Sequence, residues 1–232
     1  MPKILITILL TLFASFKPEV PDSKRASDAR SKLWPKLQKQ LTDGGFNSKY
    51  ELYLRIVKQT DQLEIWAKKG KRFEFFKGYN ICYYSGGLGT KTKAGDNKSP
   101  EGFYTISAGQ LHPTSQYHLA VNIGYPNALE TQKGYTGNAI MIHGNCASVG
   151  CYAMTDDGIE EIYTLLYKAF TSGQQKIALE IYPFKMDNQH LKDFAASPYM
   201  AFWKMLKPAY DKFEKDHLPA NISVANGQYV AR

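Results

Sequence analysis

The chain has 232 residues, 44% of them hydrophobic, with a formal net charge of +8 and a pI near 9.2. That length and apolar content can bury the core of one ordinary domain with some terminal decoration. The positive balance attracts polyanions such as anionic lipid or an acidic cell-wall polymer. Its basic residues are scattered, densest at Lys68, Lys69, Lys71 and Arg72, and the absence of any RNP-like or helix-turn-helix signature argues against nucleic acid as a partner.

In chain order, Lys3 is followed by the apolar run ILITILLTLFA. The run is too short to span a hydrocarbon core of ~30 Å and reads as a secretory signal within residues 1–16. A cut after Ala14 would leave the large Leu12 where a small residue is usual, so an uncleaved anchor is the alternative, and no cysteine follows the run to mark a lipoprotein. Residues 17–47 form an N-terminal extension. Within it Arg30 to Leu41 sets Leu33, Trp34, Leu37 and Leu41 near one face of an amphipathic helix, which Gly44-Gly45 stops.

From Tyr50 the period changes. YELYLRIVKQ, QLEIWAKKG and RFEFFKGYNICYYS alternate apolar and polar residues around a Thr60-Asp61 turn, the pattern of a β-meander feeding an antiparallel sheet. A loop from Gly86 to Ser99 precedes Pro100 and a strand over Gly102 to Ser107; it lacks the GxxxxGK[ST] of a phosphate loop. Leu111 to Asn138 is rich in Tyr, Asn, Gly and Pro, which predicts a short strand at Leu119 to Ile123 inside a long loop that walls a cleft. Thr155 to Asp157 supplies N-cap candidates for a helix carrying Ile159, Ile162, Tyr163, Leu166 and Phe170, ended by Ser172-Gly173. A strand over Lys176 to Tyr182 follows, then a second helix from Ser197-Pro198 to about Lys215, kinked at Pro208. A hairpin around Asn226-Gly227 closes the chain.

Between these elements, Ile142 to Thr155 (IHGNCASVGCYAMT) sets a histidine, a serine and a cysteine in one glycine-punctuated segment. A thiol attacks as thiolate, so a nucleophilic cysteine needs an imidazole or another positive environment nearby. His143 can be that base for Cys151. Gly144 and Gly150 let the backbone pass close to a substrate, and Gly150 with Cys151 can aim amide N–H groups at a developing oxyanion. Ser148 either fixes the loop, contacts substrate or is a plain turn serine. Two other readings are a buried structural cysteine and a metal site from His143, Cys146 and Cys151, which lacks paired CxxC or HxxxH spacing. The three cysteines, Cys82, Cys146 and Cys151, leave one unpaired in an oxidising compartment. If two pair, Cys82 with Cys146 leaves Cys151 free; the alternative is three reduced thiols.

SVGCYAMT, with the preceding Ile142-His143-Gly144, resembles the nucleophile signature of the L,D-transpeptidase (YkuD) family: Ser or Thr, His, Gly, Cys, an apolar residue, then Arg or Asn. Upstream, SGGLG (Ser85 to Gly89) and GDNKSPEGFY (Gly95 to Tyr104) resemble that family's G…[ST]PxGxF segment. The resemblance covers about Tyr50 to Tyr182. Beyond it the chain, including IYPF at Ile181 to Phe184, resembles the YafK-type branch. Three departures stand out: Val149 in place of the histidine before Gly-Cys, Ala153 in place of Arg or Asn, and only four residues between His143 and Ser148.

The resemblance implies an α+β, mostly β, sandwich-type catalytic domain over residues 48–184, with C-terminal helices and a hairpin (185–232) packed on it. It implies a periplasmic enzyme acting on peptidoglycan stem peptides, in which Cys151, activated by His143, forms a thioester at the diaminopimelate carbonyl and passes it to an amine. Gly150, Gly144 and Ser148 would shape the oxyanion loop, and Tyr152, Tyr125 and Tyr135 would contact substrate. No metal or organic cofactor is needed. If water resolves the thioester, the same fold is an amidase that cuts a diaminopimelate–lysine link and releases a lysine-bearing lipoprotein from peptidoglycan. A cell-wall binding module without activity is the third expectation.

Overall fold

In the computed structural model, which describes residues 19–232, helix α1 runs over Lys24–Asp43. It starts earlier than its apolar stripe predicts because the Ser23 side chain accepts from the Ala26 amide (3.2 Å) and caps it. It ends at Gly44, with Gly45 at φ +71°. The apolar run at Met1 to Ala14 lies outside the described residues, and no described helix is long and apolar enough to cross a membrane.

The meander forms as β1 (Leu52–Val57), β2 (Gln62–Lys69) and β3 (Arg72–Asn80), paired antiparallel in succession. Asp61, at φ +50°, makes the first turn. The complete sheet also contains β4 (Gly102–Ile106) and β9 (Ile177–Tyr182), in the order β3-β2-β1-β9-β4. Here the expectation of a purely antiparallel sheet is corrected: β1 pairs parallel with β9, Leu54 opposite Leu179 and Ile56 opposite Ile181. The physical reason is that every residue of β1 is buried. Leu54 and Ile56 enter the main core. On the other face Arg55 is enclosed near Trp66 and Phe213 and pairs with Glu64 (2.7 Å) and Glu214 (2.6 Å). A strand covered on both faces takes a central place with a neighbour on each edge.

A second sheet, β5 (Leu111–His112), β6 (Ala120–Asn122), β7 (Met141–His143) and β8 (Tyr152–Ala153), is ordered β5-β6-β7-β8. Its Val121, Ile142 and Tyr152 share one apolar core with Leu54, Ile56, Leu63 and Ile65 of the first sheet. Helix α3 (Asp156–Thr171) adds Ile159, Ile162 and Leu166 to that core and is capped by the Thr155 side chain on the Gly158 amide. The fold is therefore mixed strand-rich α+β. Helix α2 (Ala128–Gln132) appears where the Tyr-, Asn- and Gly-rich loop is expected, because Asn127 and Glu130 form a reciprocal capping box. Helix α4 (Asn188–Asp193), capped by Asp187, is a further unforeseen element.

The C-terminal part builds its own core. Trp203, Leu206 and Tyr210 of α5 (Met200–Asp216) pack with Phe103, Tyr182 and Phe184. The hairpin β10 (Ile222–Ala225) and β11 (Gln228–Ala231) turns at Asn226 and Gly227, both at positive φ as a two-residue type I′ turn requires.

One ion pair ties these parts together. Lys58 and Glu101 have fully buried side chains 3.0 Å apart. The ammonium also donates to the carbonyls of Gly89 (3.1 Å) and Ser99 (3.0 Å), while Glu101 accepts from the Gly89 amide (2.7 Å) and the Trp203 indole (2.7 Å). Burial pulls the Lys58 ammonium below its usual value, with Glu101 opposing. Removing one partner strands the other charge in the interior, at a cost of about 3–5 kcal/mol. Lys58→Met should accordingly lower unfolding free energy by that amount in urea titration; a loss below about 1 kcal/mol would show that the pair does not hold the fold.

Candidate active site

The second sheet sorts its side chains into two rows. Leu111 pairs with Val121, Val121 with Ile142, and Ile142 with Tyr152, and all four are buried. Directly paired residues share a face and neighbours along a strand alternate, so His112, Ala120, His143 and Ala153, paired in the same sequence, form the row on the opposite face. Cys151, just before β8, lies beside Met141, whose amide donates to Sγ at 3.3 Å, and lines the same cavity as His143. The core row is apolar, and strand parity turns His143 away from it.

The segment between them reverses direction tightly. Asn145 (φ +69°), Cys146 (φ +44°) and Gly150 (φ +94°) all take left-handed backbone. Gly144 is required for a different reason: a Cβ there would lie 2.5 Å from Asp156 Oδ1. The loop is pinned by the Cys82–Cys146 disulfide (S–S 1.98 Å), which leaves Cys151 as the free cysteine. Of the two alternatives for the thiols, the structure holds the paired one, and Cys146 is not a metal ligand.

The expected oxyanion donors are occupied. Gly150 N–H donates to Ser85 Oγ (2.6 Å) and Cys151 N–H to Ser148 Oγ (2.9 Å). Ser148 therefore fixes the loop, and in this state neither amide faces an open site. Ser99 Oγ donates to the Cys151 carbonyl (3.2 Å) and accepts from the Ser85 amide (3.2 Å). Since Lys58 holds the Ser99 carbonyl, the buried ion pair backs the Cys151 peptide. Ser85 and Ser99 were not singled out from sequence, although both stand in the SGGLG and KSPEGF blocks.

His143 is buried, and its Nδ1 lies 2.7 Å from the Gly144 carbonyl. A carbonyl only accepts, so Nδ1 carries the proton and Nε2 keeps its lone pair. Burial pushes the imidazole below its usual pKa, with the Gly144 carbonyl opposing. Burial also pushes the Cys151 thiol up, against the Met141 amide, Ser148 and the charge of Lys91. The resting pair is a neutral thiol beside a neutral imidazole. Burial thus works against the thiolate, and His143 Nε2 can accept the proton when sulfur attacks.

His143 and Cys151 line one cavity of about 250 Å³, walled by His112, Ser115, Gln116 and Tyr117 from the Leu111 to Asn138 segment. The Tyr117 ring lies 4.7 Å from that of His143. The three tyrosines expected at the substrate are elsewhere. Tyr152 is in the core row and its hydroxyl donates to the Pro100 carbonyl (2.6 Å). Tyr125 is buried, its hydroxyl directed at the Thr136 carbonyl (3.3 Å). Tyr135 lines a separate cavity of about 370 Å³ with Tyr199 and Phe202. Tyr152 is fully buried and does not line the cavity that holds Cys151 and His143.

Residues 52–177 match the L,D-transpeptidase catalytic domain, YkuD. The chain belongs to this family. YafK of Escherichia coli strain K12, provisionally assigned as an L,D-transpeptidase, is 46% identical over 179 residues, covering 77% of this chain and 73% of the relative; the protein of strain O157:H7 matches equally. Among solved structures, the helical cell shape determining protein Pgp2 of Campylobacter jejuni is 18% identical, with 82% of this chain and 80% of that chain covered at a TM-score of 0.48. Bd1075 of Bdellovibrio bacteriovorus is 17% identical, with 75% and 77% covered at a TM-score of 0.40. In this L,D-transpeptidase-family domain Val149, which stands where the family signature has histidine, is 75% exposed beside the nucleophile.

The electrostatics set a pH signature. With its pKa raised, Cys151 is mostly thiol at neutral pH, so its alkylation by iodoacetamide should climb about tenfold per pH unit from about pH 6 to about pH 8.5. A rate already level near pH 6 would reveal a pre-formed thiolate–imidazolium pair instead.

Proposed function

We propose that this chain is a cysteine acyltransferase of peptidoglycan, in which Cys151 forms a thioester with the diaminopimelate carbonyl of a stem peptide. The observation that carries this reading is that Cys151, immediately before β8, and His143, of the paired strand β7, line one cavity, with His143 Nε2 free to accept a proton. Nε2 takes the Sγ proton as sulfur attacks the carbonyl. The amide C–N bond then breaks, the departing amine takes that proton, and an amine acceptor resolves the thioester. Oxyanion stabilisation by the Gly150 and Cys151 amides requires them to exchange Ser85 and Ser148 for the substrate oxygen. The Cys82–Cys146 disulfide and the N-terminal apolar run together support an exported, periplasmic enzyme.

A second reading, hydrolysis of a diaminopimelate–lysine link that frees a lysine-bearing lipoprotein, draws on Val149 and Ala153. Neither offers a side-chain hydrogen bond to hold an amine against the nucleophile, so water competes for the thioester. A binding module without activity would not need a free thiol facing a cavity.

Cys151→Ala should abolish turnover of defined muropeptides while leaving the circular dichroism spectrum unchanged, and His143→Ala should slow thioester formation by about 10²–10⁴. Residual turnover in the cysteine variant, followed by mass spectrometry, would sink the nucleophile assignment. Incubation in ¹⁸O-labelled water should place label in part of the released carboxylate even with acceptor amine in excess. Crosslinked product without label would mark a committed transpeptidase.

A further inference from the structure

The row that holds His143 contains a second histidine. His112 pairs with Ala120, and Ala120 with His143, so the two imidazoles stand on one face, two strand spacings or roughly 10 Å apart. Both line the cavity that contains Cys151. His112 and Met141 also line a second cavity of about 190 Å³, and His112 is exposed, so its ring is reachable from solvent.

The chain has five histidines, and four have evident ring partners. His143 bonds the Gly144 carbonyl, His118 pairs with Glu160, His190 with Asp187, and His217 with the Phe73 carbonyl. Among the described residues, the His112 ring alone has no such partner. The turn that follows it is nevertheless held firmly from outside. Ser23 Oγ donates to the Pro113 carbonyl (2.9 Å), and Arg25 Nη1 donates to the carbonyls of Ser115 (3.2 Å) and His118 (2.6 Å). The first turn of α1 thus fixes the cavity wall opposite the nucleophile. A rigidly placed, solvent-reachable imidazole without a structural bond fits a role in proton transfer better than one in packing.

We propose that His112 is the general base for the resolving half of the reaction, receiving the proton of the primary amine or water that enters the cavity from its His112 end. The inference rests on the thioester mechanism above. The nucleophile's lone pair forms the new bond to the thioester carbon, and the C–S bond breaks with its electron pair passing to Cys151 Sγ. The proton lost by the nucleophile goes to His112, which returns it to solvent, and Sγ is reprotonated from solvent. His143 serves the first half of the cycle and His112 the second.

The test separates the halves. Full-length wild type, His112→Gln and His112→Ala are mixed with a defined donor muropeptide and a diaminopimelate-bearing acceptor, quenched at intervals and weighed as intact protein. Thioester formation in both variants should stay within about twofold of wild type. Resolution should slow by about 10²–10⁴, so that the acyl adduct accumulates on Cys151, and added imidazole should restore part of the rate in His112→Ala. Turnover unchanged in both variants would overturn the proposal, as would formation of the thioester slowing as much as its resolution. Those results leave the nucleophile assignment standing, whereas a wild type that never forms the adduct overturns both.

Discussion

A buried ammonium–carboxylate pair organises this molecule. Lys58 and Glu101 have no exposed side-chain surface, and a charge taken out of water is tolerated only where its hydrogen-bonding capacity is filled. The three donors of Lys58 go to Gly89, Ser99 and Glu101. The carboxylate takes the remaining bonds from the Gly89 amide and the Trp203 indole. Those partners come from the end of β1, from both ends of the glycine-rich loop and from α5. Satisfying one pair therefore closes the loop at its base and docks the C-terminal helix on the sheet.

The nucleophile is supported through the same contacts. Ser99, whose carbonyl is held by Lys58, bonds the Cys151 carbonyl, and Ser85 bonds the Gly150 amide. On the other side the cavity wall is held by α1 through Ser23 and Arg25. The N-terminal extension is thus part of the site's architecture, and its removal would free the turn that carries Tyr117 over His143. Partial burial disfavours charge on either group, raising the thiol pKa and lowering that of the imidazole, so charge develops when substrate arrives.

Much of the site was legible because its chemistry is local in sequence. His143, Ser148, Gly150 and Cys151 lie in one short segment, and a glycine-rich reversal between two short strands is enough to bring them near each other. Helix α3 and the terminal hairpin followed from capping and turn residues, which act over one turn of chain. The capping box of α2 carried the same kind of signal at Asn127 and Glu130 and was hidden by its Tyr- and Gly-rich surroundings.

The sequence by itself determined the family, the strand-rich α+β composition, the nucleophile segment and an odd thiol count. Only the tertiary structure decided that Cys82 pairs with Cys146, that β9 inserts between β1, to which it is parallel, and β4, to which it is antiparallel, and that Gly150 and Cys151 spend their amides on serines. It alone brought His112 into the row of His143. Periodicity reports which face of an element is buried, because that depends on residues a few positions apart. Which elements share an edge, and which distant hydroxyl reaches an amide, depend on how all buried surfaces and polar groups are satisfied together, and that is settled only when the chain is folded.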